Sequence, residues 1–292
     1  MKSLIITSLL VTAISAQDGT EDLEQYDISS FKYHERIGIP EAALIKIAEE
    51  EINKHPSKIV GGTLAKAGSF PYQAGLLITT EEDRTSMCGA SLLSNTRLVT
   101  AAHCWWDGDR RAKRLEVILG STQLFHGGTR VVTKNVTMHP KWKPSRVQND
   151  VAIIVIPWVD FNDQIRSIAL PFGFSQDFAG SKAVASGFGV RRRGEEWTED
   201  QSVKFVWLQV ISNKVCKETY PTVVRSSNIC TSGAGTVGTC AGDSGGPLAL
   251  EANNTKYLIG ISSFSSDRGC HKKRPSVYAR VTVYMSWIKE RL

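Results

Sequence analysis

No stretch of the 292-residue chain reaches the ~20 consecutive apolar residues that a helix needs to cross a bilayer, so no membrane span is expected. Cysteines at paired CxxC spacing are missing too, which argues against a structural zinc site. Basic residues outnumber acidic ones, 35 Lys and Arg against 29 Asp and Glu, yet nowhere do they form a stripe interleaved with aromatics. The net charge of +6 therefore reads as a solubility charge, and neither nucleic acid nor a membrane surface is an expected partner. No internal repeat stands out.

What is present bounds the molecule further. With 41% apolar residues the chain can bury a large core, and all-β barrels of this length often form one unit. Met1-Lys2, the short apolar run Leu4–Ile14 and the ending Ala13-Ile14-Ser15-Ala16 read as a secretory signal over residues 1–16. The expected product is exported and soluble. Six cysteines follow: Cys88, Cys104, Cys216, Cys230, Cys240 and Cys270. An even count in an exported chain favours disulfides, but spacing does not choose among the possible pairings. Asn135-Val136-Thr137 and Asn253-Asn254-Thr255 are N-glycosylation sequons.

Three short stretches carry chemistry. Gly242-Asp243-Ser244-Gly245-Gly246-Pro247 sets a serine among glycines, whose missing Cβ atoms let the backbone turn sharply and bring amides close to a ligand. A serine hydroxyl is a weak nucleophile unless a base stands beside it. Thr100-Ala101-Ala102-His103-Cys104 follows the strand-like run Leu92–Val99 and places a histidine next to a cysteine that can anchor it. The remaining His34, His55, His126, His139 and His271 read as packed or surface residues. Asn149-Asp150-Val151-Ala152-Ile153-Ile154 sends an aspartate into an apolar strand. A buried carboxylate needs a partner, and an imidazole N–H is a suitable one because the pair fixes the tautomer that accepts a serine proton.

The chain order His103, Asp150, Ser244 and these local sequences resemble the chymotrypsin-like serine endopeptidases over about the last four-fifths of the chain, from Ile59 onward. The spacing around Phe264, Cys270 and Ser276 is most similar to the arthropod chymotrypsins and serine collagenases. The resemblance implies acyl transfer by Ser244, His103 and Asp150, with the Gly242 and Ser244 amides as the oxyanion hole. It implies the disulfides Cys88–Cys104, Cys216–Cys230 and Cys240–Cys270. It also implies an activation junction at Lys58-Ile59-Val60-Gly61-Gly62, where cutting frees an Ile59 amine that pairs with Asp243. The Lys58 side chain calls for an activating protease of trypsin-like specificity. Gly187-Phe188-Gly189 resembles the family's Gly-Trp-Gly, and Arg191–Glu196 beyond it reads as an exposed loop. Gly120–Gly128 lacks the carboxylates that bind calcium in some relatives, and no metal or other cofactor is expected.

The expected architecture is all-β. Short runs such as Tyr72–Ile78, Ser91–Thr100, Leu115–Leu119, Arg130–Thr137, Val151–Ile156, Lys182–Ser186, Val203–Val210, Pro247–Leu250, Tyr257–Ser262 and Ser276–Thr282 are broken by turn residues, as in a barrel or sandwich. The family implies two six-stranded antiparallel β-barrels over residues 59–292, with the active site between them. Val281–Leu292 reads as a closing amphipathic helix. Residues 17–58 form a partly helical pro-segment, with an acidic opening (Asp18, Glu21, Asp22, Glu24, Asp27) and no cysteine. Over Glu41–Lys54 the periodicity predicts a helix with Leu44, Ile45, Ala48 and Ile52 on one face and Lys46, Glu49 and Glu50 away from it. Such a segment is either a removable solubilising leader or a helix packed on the rest that delays activity.

Specificity follows from three pocket positions implied by the resemblance: Gly238 at the floor, Ser265 and Ser276 on the walls. No carboxylate stands at any of them, so a buried Arg or Lys would lose several kcal/mol unpaired. The expected enzyme is a secreted, digestive zymogen that cleaves protein or peptide substrates after large apolar residues and meets protein protease inhibitors. Elastase-like or collagenolytic cleavage, or a catalytically silent binding homologue, are the alternatives.

Overall fold

The computed structural model describes residues 28–54, 68–174, 177–189, 203–234, 243–266 and 273–292. The first sheet comprises β1 (Gln73–Thr80), β2 (Thr85–Ser94), β3 (Arg97–Thr100), β4 (Ala112–Leu119), β5 (Thr129–Thr133), β6 (Val136–Met138) and β7 (Ala152–Val155). Every pairing is antiparallel and the strands follow the order β5-β4-β1-β2-β3-β7-β6. The two edges, β5 and β6, are halves of one stretch interrupted at Lys134–Asn135. There Thr133 Oγ1 donates to the Val155 carbonyl and the Val155 amide donates to the Asn135 carbonyl. The first sheet is thus a seven-stranded half-barrel rather than the closed six-stranded barrel the resemblance implies.

The second unit is a closed barrel, β10-β13-β12-β11-β8-β9. Its strands are β8 (Lys182–Gly187), β9 (Lys204–Ile211), β10 (Asn228–Thr231), β11 (Pro247–Ala252), β12 (Thr255–Phe264) and β13 (Ser276–Arg280). Leu76, Ile78, Leu92, Leu98, Leu115, Val117 and Ile153 pack together in the first unit, and Ala183, Leu208, Val210, Ile229, Leu248, Ile259 and Tyr278 in the second. Each large aliphatic chain so buried contributes roughly 1.5–3 kcal/mol before entropy is set against it. The all-β expectation and the closing helix are met, the helix running over Val281–Lys289. Ser91–Thr100, expected as one run, is a hairpin instead: Ser94, Asn95 and Thr96 are turn formers, and Ser91 pairs back to Val99.

A further helix, Asn213–Thr219, precedes β10 and is capped by Ser212, whose Oγ accepts from the Val215 amide. At Asn253-Asn254 both residues take positive φ, 51° and 58°, in the tight turn between β11 and β12. Asparagine tolerates that left-handed region better than most residues. Both sequon asparagines, Asn135 and Asn253, are exposed.

N-terminal to the sheets, a turn over residues 28–32 leads into a π-helical turn (His34–Gly38) and the helix α1 (Ile39–Lys54). Pro40 sits in the first turn, where no amide is required. The buried face of α1 is Glu41, Ala42, Ile45, Ala48 and Glu49, so the stripe is rotated from the expected one. Glu49 points inward while Leu44 is only half-buried. The cause is specific: the Glu49 carboxylate accepts from the Leu124 and Phe125 amides at 2.6 and 2.7 Å. Hydrogen-bond partners offset the desolvation of that charge. Ala42 and Ile45 meanwhile pack with Leu77, Met87, Ile118, Leu124 and Phe188. Helix α1 lies mainly on β2, whose residues are therefore covered on both faces.

Candidate active site

The site forms where the two units meet. Ser244 sits in the turn before β11, and its backbone is fixed from both sides. The Gly89 amide of β2 donates to the Ser244 carbonyl at 2.7 Å, and the Gly245 amide donates to Ser262 of β12 at 2.8 Å. Gly245 takes φ +79°, and a Cβ there would collide with Thr100 Oγ1. Glycine is required by both the dihedral and the space.

His103 lies in a 3-10 turn, Ala102–Cys104, directly after β3, and is fully buried. The Cys88–Cys104 disulfide ties this turn to β2. Asp150 precedes β7, which pairs with β3 so that Thr100 faces Ala152. Its carboxylate is held by three donors. The His103 backbone amide donates to Oδ1 at 2.9 Å, His103 Nδ1 lies 2.8 Å from Oδ2, and Ser263 Oγ donates to Oδ2 at 2.6 Å. With the Asp150 side chain accepting, Nδ1 carries the proton and Nε2 is left as the acceptor. Nε2 is buried and has no hydrogen-bond partner among the described residues.

The reason is Tyr33. Its ring packs edge-on against the His103 ring, centroids 4.8 Å apart. Its hydroxyl donates to the Met87 carbonyl at 2.8 Å, and the Ser244 side chain is its other polar neighbour. Burial pushes the phenol far above its ordinary range, so it stays a neutral donor. Next to it, the His34 amide donates to Asp107 Oδ2 at 2.8 Å and His34 Nδ1 lies 2.9 Å from Ser86 Oγ. His34 had no expected role beyond packing. Neither Tyr33, Glu49 nor Ser263 stands out in the sequence: Ser263 is one of many serines, and nothing local marks a tyrosine that will meet a histidine 70 residues away.

Asp243 presents its Oδ1 to the Gly189 amide at 3.0 Å, and a Cβ on Gly187 would overlap that carboxylate. The Gly187-Phe188-Gly189 stretch thus gives the aspartate its space. Ser265 and the buried Ser276 stand at the adjoining ends of β12 and β13, just past the Phe264–Val277 pair. Cys216 and Cys230 are bonded as the resemblance implies. Lys58, Ile59, Gly238, Gly242, Cys240, Cys270 and the loop 191–196 lie outside the described residues. Cys88, His103 and Cys104 bring their S and N atoms close together, but both sulfurs are spent in the disulfide and offer no metal thiolate.

The Trypsin family profile matches residues 59–288. The chain belongs to the trypsin family. A collagenase from Hypoderma lineatum is 37% identical over 80% of this chain and 86% of its own length. Brachyurin from Leptuca pugilator is 34% identical over 79% of this chain and 97% of its own. Serine protease 1 from Drosophila melanogaster is 32% identical over 84% and 89%. The solved Hypoderma collagenase structure superposes with a TM-score of 0.71, covering 80% of this chain and 98% of that one. This trypsin-family chain is a chymotrypsin-like serine endopeptidase, and its domain carries at least two disulfides. No helix among the described residues is long and apolar enough to cross a membrane.

Proposed function

We propose that the chain is a secreted proenzyme whose processed form cleaves protein substrates after large apolar residues. The observation that carries the mechanism is the Asp150 carboxylate, fully engaged by His103 and Ser263, with Ser244 on the adjoining turn. Ser244 attacks the scissile carbonyl while His103 Nε2 takes its proton and later returns it to the leaving amine. Asp150 holds the imidazole in that tautomer and stabilises the imidazolium. The Gly242 and Ser244 amides receive the oxyanion, and water releases the acyl group.

Cutting after Lys58 by a trypsin-like protease supplies the Ile59 amine, which takes Asp243 away from Gly189. Supporting this, the Asp243 carboxylate accepts from the Gly189 backbone amide, and the missing Cβ of Gly187 leaves it room there. Serines at both described pocket positions leave an apolar side chain unopposed and a cation unpaired. A second reading, collagen cleavage, is favoured by the similarity to two relatives, one of them named a collagenase. A digestive setting and encounters with protein protease inhibitors accord with the same likeness.

The test is a peptide library profiled on the chain cut at Lys58. Leu, Met, Phe and Tyr are expected to dominate before the scissile bond. Dominance of Ala and Val makes the enzyme elastase-like, and dominance of Arg refutes the pocket assignment.

A further inference from the structure

We infer that residues 28–54 are a cleft-directed inhibitor that stays docked, by non-covalent contacts alone, after the Lys58–Ile59 bond is cut. This rests on the peptidase reading above. Besides the His34 contacts with Asp107 and Ser86, the segment grips the enzyme at three places, and each has its own chemistry.

The first grip is on the free end of β12. Ile28 bridges antiparallel to Ser266, the Ser29 amide donates to the Ser265 carbonyl at 3.0 Å, and the Ser265 amide donates to Ser29 Oγ at 3.0 Å. This edge begins two residues beyond Ser263, which holds Asp150. An extended polypeptide laid on an exposed strand edge is a general recognition mode, and here the segment uses the edge that a substrate beside Ser244 would need. Ile28 itself is fully buried among Trp142, Tyr220, Phe264 and Val277.

The second grip explains why the segment is not cut like a substrate. After Ser29 the chain turns. Phe31 N–H donates to the Ile28 carbonyl at 3.2 Å, Lys32 takes φ +49°, and the Arg36 guanidinium donates to the Ile28 and Phe31 carbonyls. The backbone leaves the edge, and the Tyr33 side chain goes on to His103 and Ser244. A phenol offers no carbonyl to attack. It fills the ground that the reacting groups need and leaves Nε2 without a hydrogen-bond partner among the described residues.

The third grip is distant from the cleft. Glu49, fully buried, accepts from the Leu124 and Phe125 amides and lies 3.2 Å from His126 Nδ1. Ala42 and Ile45 pack beside it. None of these contacts involves residues 55–67, and residues 17–58 hold no cysteine. Severing the chain at Lys58 therefore leaves all three grips in place. It leaves a complex whose lifetime is set by dissociation, or by a later cut inside the segment.

The experiment uses the full chain with residues 54–57 replaced by aspartates, so that enteropeptidase cuts after Lys58 alone. Completeness is checked by N-terminal sequencing from Ile59, and Ser244 is labelled with a fluorophosphonate. The cut chain should label about tenfold or more faster after dilution than when concentrated, as expected for a partner lost by mass action. Tyr33→Ala, or Ser29→Pro should the first variant fold poorly, should label at the fast rate without dilution. Full-rate labelling of the concentrated wild-type chain, as soon as the cut is complete, overturns the inference alone. A cut chain that stays unlabelled at every dilution, Tyr33→Ala included, overturns the peptidase reading and the inference with it.

Discussion

Acid should loosen the docked segment through His34. Free in water, its imidazole titrates near 6.5. Docked, it is pulled down to about 4, first by burial and then by His103 and Arg110, against the opposing pull of Asp107 and Glu82. Those groups, with Ser86 on Nδ1 and the Tyr33 ring edge-on at 5.8 Å, face it among the described residues, and its Nε2 is buried with no described partner to receive a proton's charge. A histidine whose docked value is depressed binds protons better when released, so docking is at full strength above the free value and is lost as pH falls toward the docked one. Between pH 7.5 and 5 the loss is on the order of 2 kcal/mol, or about 30-fold in the dissociation constant.

Glu49 works the other way. Burial raises its carboxyl despite three stabilising donors, and its contribution is lost as pH rises through the docked value. The two effects are separated by His34→Gln, which keeps a side-chain amide near Ser86 and removes the titration. The assay is the affinity of the detached fragment for the cut enzyme, measured by competition with a fluorogenic substrate at both pH values. The wild-type fragment should weaken about 30-fold more on acidification than the His34→Gln fragment. Equal responses in the two would show that His34 does not titrate on docking, and the burial argument for it would be wrong.

Two further outcomes concern the catalytic side. Asp150→Asn, in the processed enzyme, keeps the volume but presents the wrong partner to His103 Nδ1, and kcat should fall by about 10⁴ with KM little changed; steady-state kinetics on one peptide checks it. Replacing Cys88 and Cys104 together by serine removes a crosslink spanning 16 residues and should lower stability in denaturant by about 3 kcal/mol, with the larger effect on kcat because His103 sits inside the freed turn.

The candidate catalytic stretches stood out because each is contiguous in the sequence. A glycine run, a histidine beside a cysteine and an aspartate entering an apolar strand all announce local constraints on the backbone. Most strand positions were legible for the same reason; the breaks at Ser94-Asn95-Thr96 and Lys134–Asn135 were not, because a few polar residues did not outweigh the runs around them, and the first half of β2 was missed. The N-terminal helix was legible in extent but not in facing. Periodicity counts a glutamate as polar and sends it to solvent, whereas Glu49 goes inward because two amides of a loop 75 residues away need an acceptor. Tyr33 and Ser263 fall in the same class. Their importance lies wholly in partners brought together by the fold, and pattern within a window carries no trace of such partners.

That distinction bears on how the proenzyme would be controlled. Asp243 and Tyr33 restrain different parts of one machine. The carboxylate accepts from the Gly189 amide and lies next in sequence to the backbone proposed to form the oxyanion site; the phenol packs on the groups proposed to exchange a proton. On the proposed activation route, a new Ile59 amine competes for the first, while the second is held by the Tyr33 contacts with His103 and the Met87 carbonyl. Because a rate requires both conditions at once, leakage through one restraint is multiplied by leakage through the other, rather than added to it. A modest equilibrium constant at each then suffices for a low background. Cutting alone would convert a molecule locked twice into one locked once, with its remaining lock sensitive to concentration and, through His34, to acid.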